Sequence, residues 1–119
     1  MSTINKVTIY HNPRCSKSRQ TLQLLEDNGV SPEVVLYLET PPDTATLRSL
    51  LKKLAISPRE LLRKSEDAYK ENKLSDESLT DEQLLAAMVT HPKLIERPIV
   101  VKGNKAILGR PPENVLSLV

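Results

Sequence analysis

The chain has 119 residues, with 17 basic and 15 acidic side chains, one cysteine, three tyrosines and neither phenylalanine nor tryptophan. This is the length of one domain with an aliphatic core, and a net charge of +2 does not argue for a nucleic-acid partner. A lone cysteine excludes an internal disulfide framework and a cysteine-rich zinc site. No apolar run approaches the roughly 18 residues of a membrane span. The start, "MSTINKVTIYHNP", lacks a secretory apolar segment, so the expectation is a soluble, reducing, cytoplasmic setting.

In chain order, "KVTIY" is a β-branched run ended by His11-Asn12-Pro13 and predicts a first strand. A helix is predicted from Ser16, with Ser18, Thr21, Leu22 and Leu25 on one face and Asn28-Gly29 as its stop. "EVVLYL" predicts a second, buried strand, parallel to the first, stopped by Thr40-Pro41-Pro42. Asp43 to Leu54 is amphipathic, with Leu47, Leu50, Leu51 and Leu54 at helical spacing, and Pro58 fits the first turn of another helix. Residues 64–79 predict short helices or turns, and Thr80-Asp81-Glu82-Gln83 reads as a capping box opening a helix to about Thr90. "PIVVKGNKAIL" predicts two short strands around a type II′ turn at Gly103-Asn104. Pro111-Pro112 then opens a final helix holding Val115 and Leu116, with Val119 a further candidate. This order fits an α/β, thioredoxin-like fold: one domain over 1–119, made of βαβ, a helical insertion over about 43–91, a β-hairpin and a C-terminal helix.

The positive charge is segregated. All fifteen acids lie from Glu26 onward, leaving Lys6, Arg14, Lys17 and Arg19 in an acid-free start. A second acid-free stretch after Glu96 carries Arg97, Lys102, Lys105 and Arg110. Cys15 falls where the first strand gives way to the first helix, so its sulfur faces unpaired backbone N–H groups and the positive end of the helix dipole. The same groups bind oxyanions. Packing alone would explain a buried cysteine, and helix capping would explain Ser16 and Ser18. A polar, Pro-containing, basic turn instead points to a nucleophile. Cys15-Ser16-Lys17-Ser18 has the spacing of a C-x-x-C redox motif with serine in the second place, so any redox cycle needs a thiol from outside the chain. His11 is a candidate cation beside the thiolate; an exposed turn histidine is the alternative. His91 reads as structural.

The segments "YHNPRCSKSRQTL", "YLETPP", "ELLRK", "HPKLIERPIVV" and "GRPPENVL" together resemble the glutaredoxin-dependent arsenate reductases of the ArsC type over nearly the whole chain. The resemblance implies a thioredoxin-like fold with an inserted helical region. It implies a cysteine, matching Cys15, that attacks arsenate to form a thiol–arsenate adduct. Glutathione, as co-substrate, then attacks, and glutaredoxin helps complete reduction to arsenite. His11 matches the histidine held to favour the thiolate. Arg63, Arg97 and Arg110 match three arginines that hold the anion. Ser16, Ser18 and Arg19, in the first turn of the predicted helix, are further candidate substrate contacts. Guanidinium suits such a role because its planar fork of donors stays charged. No metal and no bound cofactor are implied, and the expected partners are an oxyanion, glutathione and glutaredoxin, with the chain itself monomeric. Thioredoxin-like folds also keep a cis-proline before the third strand, which predicts a cis Arg97–Pro98 bond. Where the family's arsenate reductases read Cys-Gly-Thr-Ser-Arg, this chain reads Cys-Ser-Lys-Ser-Arg after Arg14, a variant that resembles the YfgD-like subgroup.

Two alternatives stand beside the arsenate reductase. One is a glutathione-dependent thiol oxidoreductase with another substrate. The other is a non-enzymatic binding protein resembling the transcription regulators of this fold, which usually carry C-x-x-C; Ser18 and the three arginines argue against it.

Overall fold

A computed structural model describes residues 6–119; the reading of the chain's first five residues as part of a non-secretory start lies outside the described residues. The chain divides into two compact units, one running to Thr40 and resuming at Arg97–Val119, the other spanning Pro41–Glu96.

The first unit contains the sheet. Strand β1 (Val7–His11) leads into helix α1 (Ser16–Asp27), which returns the chain to β2 (Glu33–Leu36); β3 (Ile99–Lys102) and β4 (Lys105–Leu108) follow later as a hairpin. The strand order is β2-β1-β3-β4, with β2 parallel to β1 and β3 antiparallel to both of its neighbours. Alternation along β1 sends Val7, Ile9 and His11 to one face, and all three are buried. Val7 and Ile9 pack with Leu25, Val100 and Val115 to form the unit's core.

Helix α1 follows its predicted pattern. Ser18, Thr21 and Leu25 are its buried residues, and it stops at Asn28, before Gly29 at φ +79°. The hairpin register pairs Lys102 with Lys105, and only Gly103 of the two turn residues has positive φ, as a type II′ turn requires. The Arg97–Pro98 bond is cis, as expected, and so is Arg110–Pro111, which the sequence reading did not anticipate.

Two elements differ from expectation. The second strand ends at Leu36, short of Tyr37 and Leu38, and it is not buried: Glu33 and Val34 are exposed. Its hydrophobic run reads like a central strand, but β2 is at the edge of the sheet. The final helix is a 3-10 helix, Pro112–Ser117, that buries Pro112 and Val115 while Leu116 and Val119 remain exposed. Tighter winding puts residues three apart on one face, so Pro112 and Val115 share the inner side and Leu116 does not.

The second unit spans Pro41–Glu96. It contains α2 (Thr44–Leu54), α3 (Pro58–Leu61), α4 (Asp67–Glu71), α5 (Asp81–Thr90) and a 3-10 turn at Pro92–Leu94. Asp43 caps α2 by accepting the Thr46 N–H at 2.8 Å, and capping boxes at Ser57–Glu60 and Thr80–Gln83 open α3 and α5. Leu47, Leu50, Leu51, Leu61, Leu84, Leu85 and Met88 are buried.

Gly109 connects the hairpin to α1. Its N–H donates to the Pro98 carbonyl at 3.0 Å, and the Thr21 hydroxyl reaches its carbonyl at 3.4 Å. A β-carbon there would stand 2.8 Å from Pro98 Cγ and 2.9 Å from Thr21 Cγ2, and closer still to Thr21 Oγ1. Gly109→Ala is therefore expected to destabilise the protein by about 1–3 kcal/mol, the usual cost of overpacking. Urea denaturation measures this, and an unchanged midpoint contradicts the packing described.

Candidate active site

The turn that carries Cys15 is built from its own polar groups. Asn12 and Pro13 hold the first and second positions of a β-turn closed by the Cys15 N–H donating to the Asn12 carbonyl at 3.0 Å. Asn12 Oδ1 accepts the Arg14 N–H at 3.0 Å, and Arg19 Nη1 donates to the Pro13 carbonyl at 2.8 Å. Beneath the turn, Ser18 is fully buried. Its Oγ accepts the Asn12 N–H at 3.0 Å and shares a 2.6 Å hydrogen bond with His11 Nδ1.

Cys15 is the N-cap of α1 and is half-buried. A cap residue ordinarily offers an oxygen to the first-turn N–H groups. Here there is no side-chain cap hydrogen bond and no acid in the first turn. The sulfur stands at the positive end of a twelve-residue helix, and Arg19 opens the hydrogen-bond ladder with its N–H on the Cys15 carbonyl at 3.0 Å.

Arg97 and Arg110 are brought together by the loops flanking the hairpin. Arg110 Nη1 donates to the Arg97 carbonyl at 3.2 Å, and both loops meet α1 where Gly109 and Pro98 crowd Thr21. Arg97 Nε is buried with no hydrogen-bond partner among the described residues. A buried charged donor left without an acceptor is costly, so this atom is suited to receiving an anionic oxygen.

Several predicted site residues have different surroundings from those expected. Ser18 faces inward and is taken up by His11 and Asn12, so it is not placed to contact a substrate. Arg19 Nη1 braces the turn backbone at the Pro13 carbonyl while the residue stays exposed, and Ser16 is exposed as the first helical residue. His11 is not the expected cation. Burial first, and the Arg19 charge second, lower its pKa below the usual 6.5, which keeps the ring neutral at pH 7.

Arg63, in the second unit, is ion-paired. Leu62 bridges to Ile95, and the Arg63 N–H donates to the Leu94 carbonyl at 2.7 Å, which brings the two backbones alongside each other. Arg63 Nη1 then meets Glu66 at 2.6 Å, and Nε lies 3.4 Å from Glu96, with only 15% of the Arg63 side chain exposed.

Asn12, Thr21 and Gly109 were missed as positioning residues. An Asn-Pro pair is a turn signal and identified the turn, but nothing local connects Thr21 to Gly109. Among the described residues no group of three or more His, Cys, Asp or Glu side chains is arranged to hold a metal ion. No helix among them is long and apolar enough to cross a membrane.

The profile of the ArsC family matches residues 10–118. The uncharacterized protein YfgD of Escherichia coli (strain K12) is 66% identical over 96% of this chain and 97% of its own. An arsenate reductase of Neisseria meningitidis is 49% identical over 92% of this chain and 95% of its own. The solved structure of an arsenate reductase from Vibrio cholerae superposes with a TM-score of 0.94 at 52% identity, covering 96% of this chain and 98% of that one.

The lowered His11 pKa has a consequence for stability. The folded state resists protonation of His11 while the unfolded chain takes a proton near pH 6.5, so stability is full above that value and falls as pH drops through the folded pKa. NMR titration is expected to give His11 a midpoint below 6.5. Ser18→Ala, which orphans the buried Asn12 N–H, is expected to cost about 1–3 kcal/mol in urea denaturation. A His11 midpoint above 6.5 contradicts this account.

Proposed function

Because this chain belongs to the ArsC family, we propose that it is an arsenate reductase working through a covalent adduct on Cys15 that glutathione and glutaredoxin resolve. The observation that carries this reading is a cysteine, rather than a capping oxygen, heading a helix whose Thr21 packs beside Gly109 and Pro98, the neighbours of Arg110 and of Arg97 with its buried, unpartnered Nε.

The Cys15 thiolate attacks arsenic, and one arsenate oxygen leaves as water after taking protons from solution. Arg97 and Arg110 hold the remaining oxygens, each charge-assisted contact contributing about 1.5–3 kcal/mol. A glutathione thiolate then attacks the Cys15 sulfur. The sulfur–arsenic bond breaks, its electron pair stays on arsenic, and arsenite departs. Cys15 is left in a mixed disulfide with glutathione. A glutaredoxin thiolate takes the glutathione by exchange and returns Cys15 to the thiol. Two thiols are oxidised to one disulfide as As(V) becomes As(III), so the electrons balance. Ser18 stands where a resolving cysteine would, which is why the second thiol comes from outside.

Neutral His11 serves this scheme by fixing the turn, not by lending charge. Arg63 is proposed as a third anion ligand on sequence grounds. Its contacts with Glu66 and Glu96 engage two of the five N–H groups a guanidinium carries. One arginine against two glutamates also gives that cluster a net negative charge. This favours, as a second reading, a glutathione-dependent thiol oxidoreductase whose substrate is less charged than arsenate.

A coupled assay supplying arsenate, glutathione, glutaredoxin and its reductase tests both readings. Cys15→Ser is expected to abolish turnover. Arg97→Ala or Arg110→Ala should lower kcat/KM roughly tenfold to a hundredfold, the equivalent of one charge-assisted contact, with lysine restoring part of it. Arg63→Ala should do the same if it binds the anion. Full turnover with thioredoxin and no glutathione, or turnover surviving Cys15→Ser, rules out the mechanism. Turnover of a glutathione mixed disulfide without arsenate reduction selects the second reading.

A further inference from the structure

The first unit holds a cavity of about 290 Å³ beside the Cys15 turn, lined by His11, Pro13, Arg14, Leu36, Leu38 and Glu39 among others. Its wall includes the turn itself, since Asn12, Pro13 and Arg14 immediately precede the cysteine and the Asn12 carbonyl holds the Cys15 N–H. Leu36, Leu38 and Pro13 are its apolar part. Arg14 and Glu39 bring it one charge of each sign, both side chains are exposed, and neither forms an ion pair among the described residues. Glu39 is set in place by the turn after β2, where its N–H donates to the Leu36 carbonyl at 2.9 Å.

Opposite charges beside an apolar surface match a zwitterion better than an anion. A tetrahedral dianion would face the Glu39 carboxylate here, whereas Arg97 and Arg110 lie in a stretch of sequence without acids. The strand order separates the two places. Leu36 ends β2 and Leu38 lies just beyond it, on one side of β1. Arg97 precedes β3 and Arg110 follows β4, on the other side of β1. Displacement at a divalent sulfur runs in line, so a thiol attacking Cys15 must arrive opposite the arsenic it expels.

We propose that this cavity is the subsite for the thiol co-substrate, taking the α-amino-acid end of the γ-glutamyl group of glutathione with its carboxylate on Arg14 and its ammonium on Glu39. The methylenes of the γ-glutamyl arm lie on Leu36 and Leu38. A γ-linked glutamyl-cysteine unit is longer than the about 7 Å of two extended α-linked residues, and the cavity wall includes Arg14, next to Cys15. A volume near the lower end for ligand pockets suits one end of a tripeptide. The proposal rests on the reading of Cys15 as a thiol resolved by glutathione.

The test uses the whole chain. In Cys15→Ser protein, titration with glutathione and with γ-glutamylcysteine is expected to shift the amide signals of Arg14, Leu36, Leu38 and Glu39, whereas cysteinylglycine should leave them in place. In the coupled assay, Arg14→Ala and Glu39→Gln should each raise the KM for glutathione at least tenfold and move the KM for arsenate far less. A des-amino glutathione, lacking the ammonium, should bind Glu39→Gln and unsubstituted protein equally. Shifts confined to other residues, or a glutathione KM within twofold of the unsubstituted value in both variants, overturn the subsite. Shifts at the cavity with no arsenate turnover remove the reductase reading and leave the subsite standing.

Discussion

The hydroxyl of Ser18 is the group on which the geometry of the cysteine turn depends. It is fully buried, and from the first turn of α1 it reaches back to two groups at the end of β1: the Asn12 N–H and His11 Nδ1. Removing it leaves a buried backbone donor without an acceptor, a penalty of about 1–3 kcal/mol concentrated where the strand becomes the helix. The other bonds of the turn follow from that anchor. With Asn12 held, its carbonyl is in place for the Cys15 N–H and its side chain for the Arg14 N–H, and Arg19 can close over Pro13. A second cysteine here would offer sulfur, a weaker hydrogen-bond acceptor than a hydroxyl oxygen. The serine therefore stabilises the turn, and its presence also removes any internal resolving thiol.

Charge in this molecule is arranged by exclusion as much as by attraction. The helix that presents Cys15 has no acid in its first turn, and its cap side chain makes no hydrogen bond there, so neither competes with an anion for the first-turn N–H groups. His11 lies closer to the turn than the hairpin arginines do in sequence, yet burial and the Arg19 charge keep it neutral. The permanent charge comes instead from guanidinium groups, which no pH in the working range removes. Arg97 pays for its position with a buried Nε that finds no acceptor, whereas Arg63 is offset by two glutamates. Arginines that look alike in sequence thus carry different effective charge in the fold.

That difference marks how far the sequence could be read. Features set by residues a few positions apart were legible: the bounds of α1, the Thr80–Gln83 capping box and the two-residue hairpin turn. His11 was also within reach, because Val7, Ile9 and His11 continue one alternation, and a third inward position on a buried strand is a poor place for a cation. Features set by partners far along the chain were not. Glu66 stands three residues from Arg63, but Glu96 reaches it only through the Leu62–Ile95 bridge. The exposure of β2 depends on its edge position, which "EVVL" does not encode. Three arginines and a cysteine could be named as the candidate site; which of them is already neutralised could not.

The sheet order adds a constraint that no single residue carries. Parallel pairing of β1 with β2 and antiparallel pairing with β3 bring the end of β1, the end of β2 and the start of β3 to one margin of the sheet. The cysteine turn leaves from the middle of that margin, because β1 is flanked on both sides. On the proposed mechanism a nucleophile placed there has an approach on each side, and the chain lines them differently: Leu36, Leu38 and Glu39 at the end of β2 and just past it, Arg97 and Arg110 around the hairpin. An edge strand could offer only one such approach. Chemistry that forms a bond to sulfur from one reactant and breaks it with another needs two, so the central place of β1 is itself part of the candidate site.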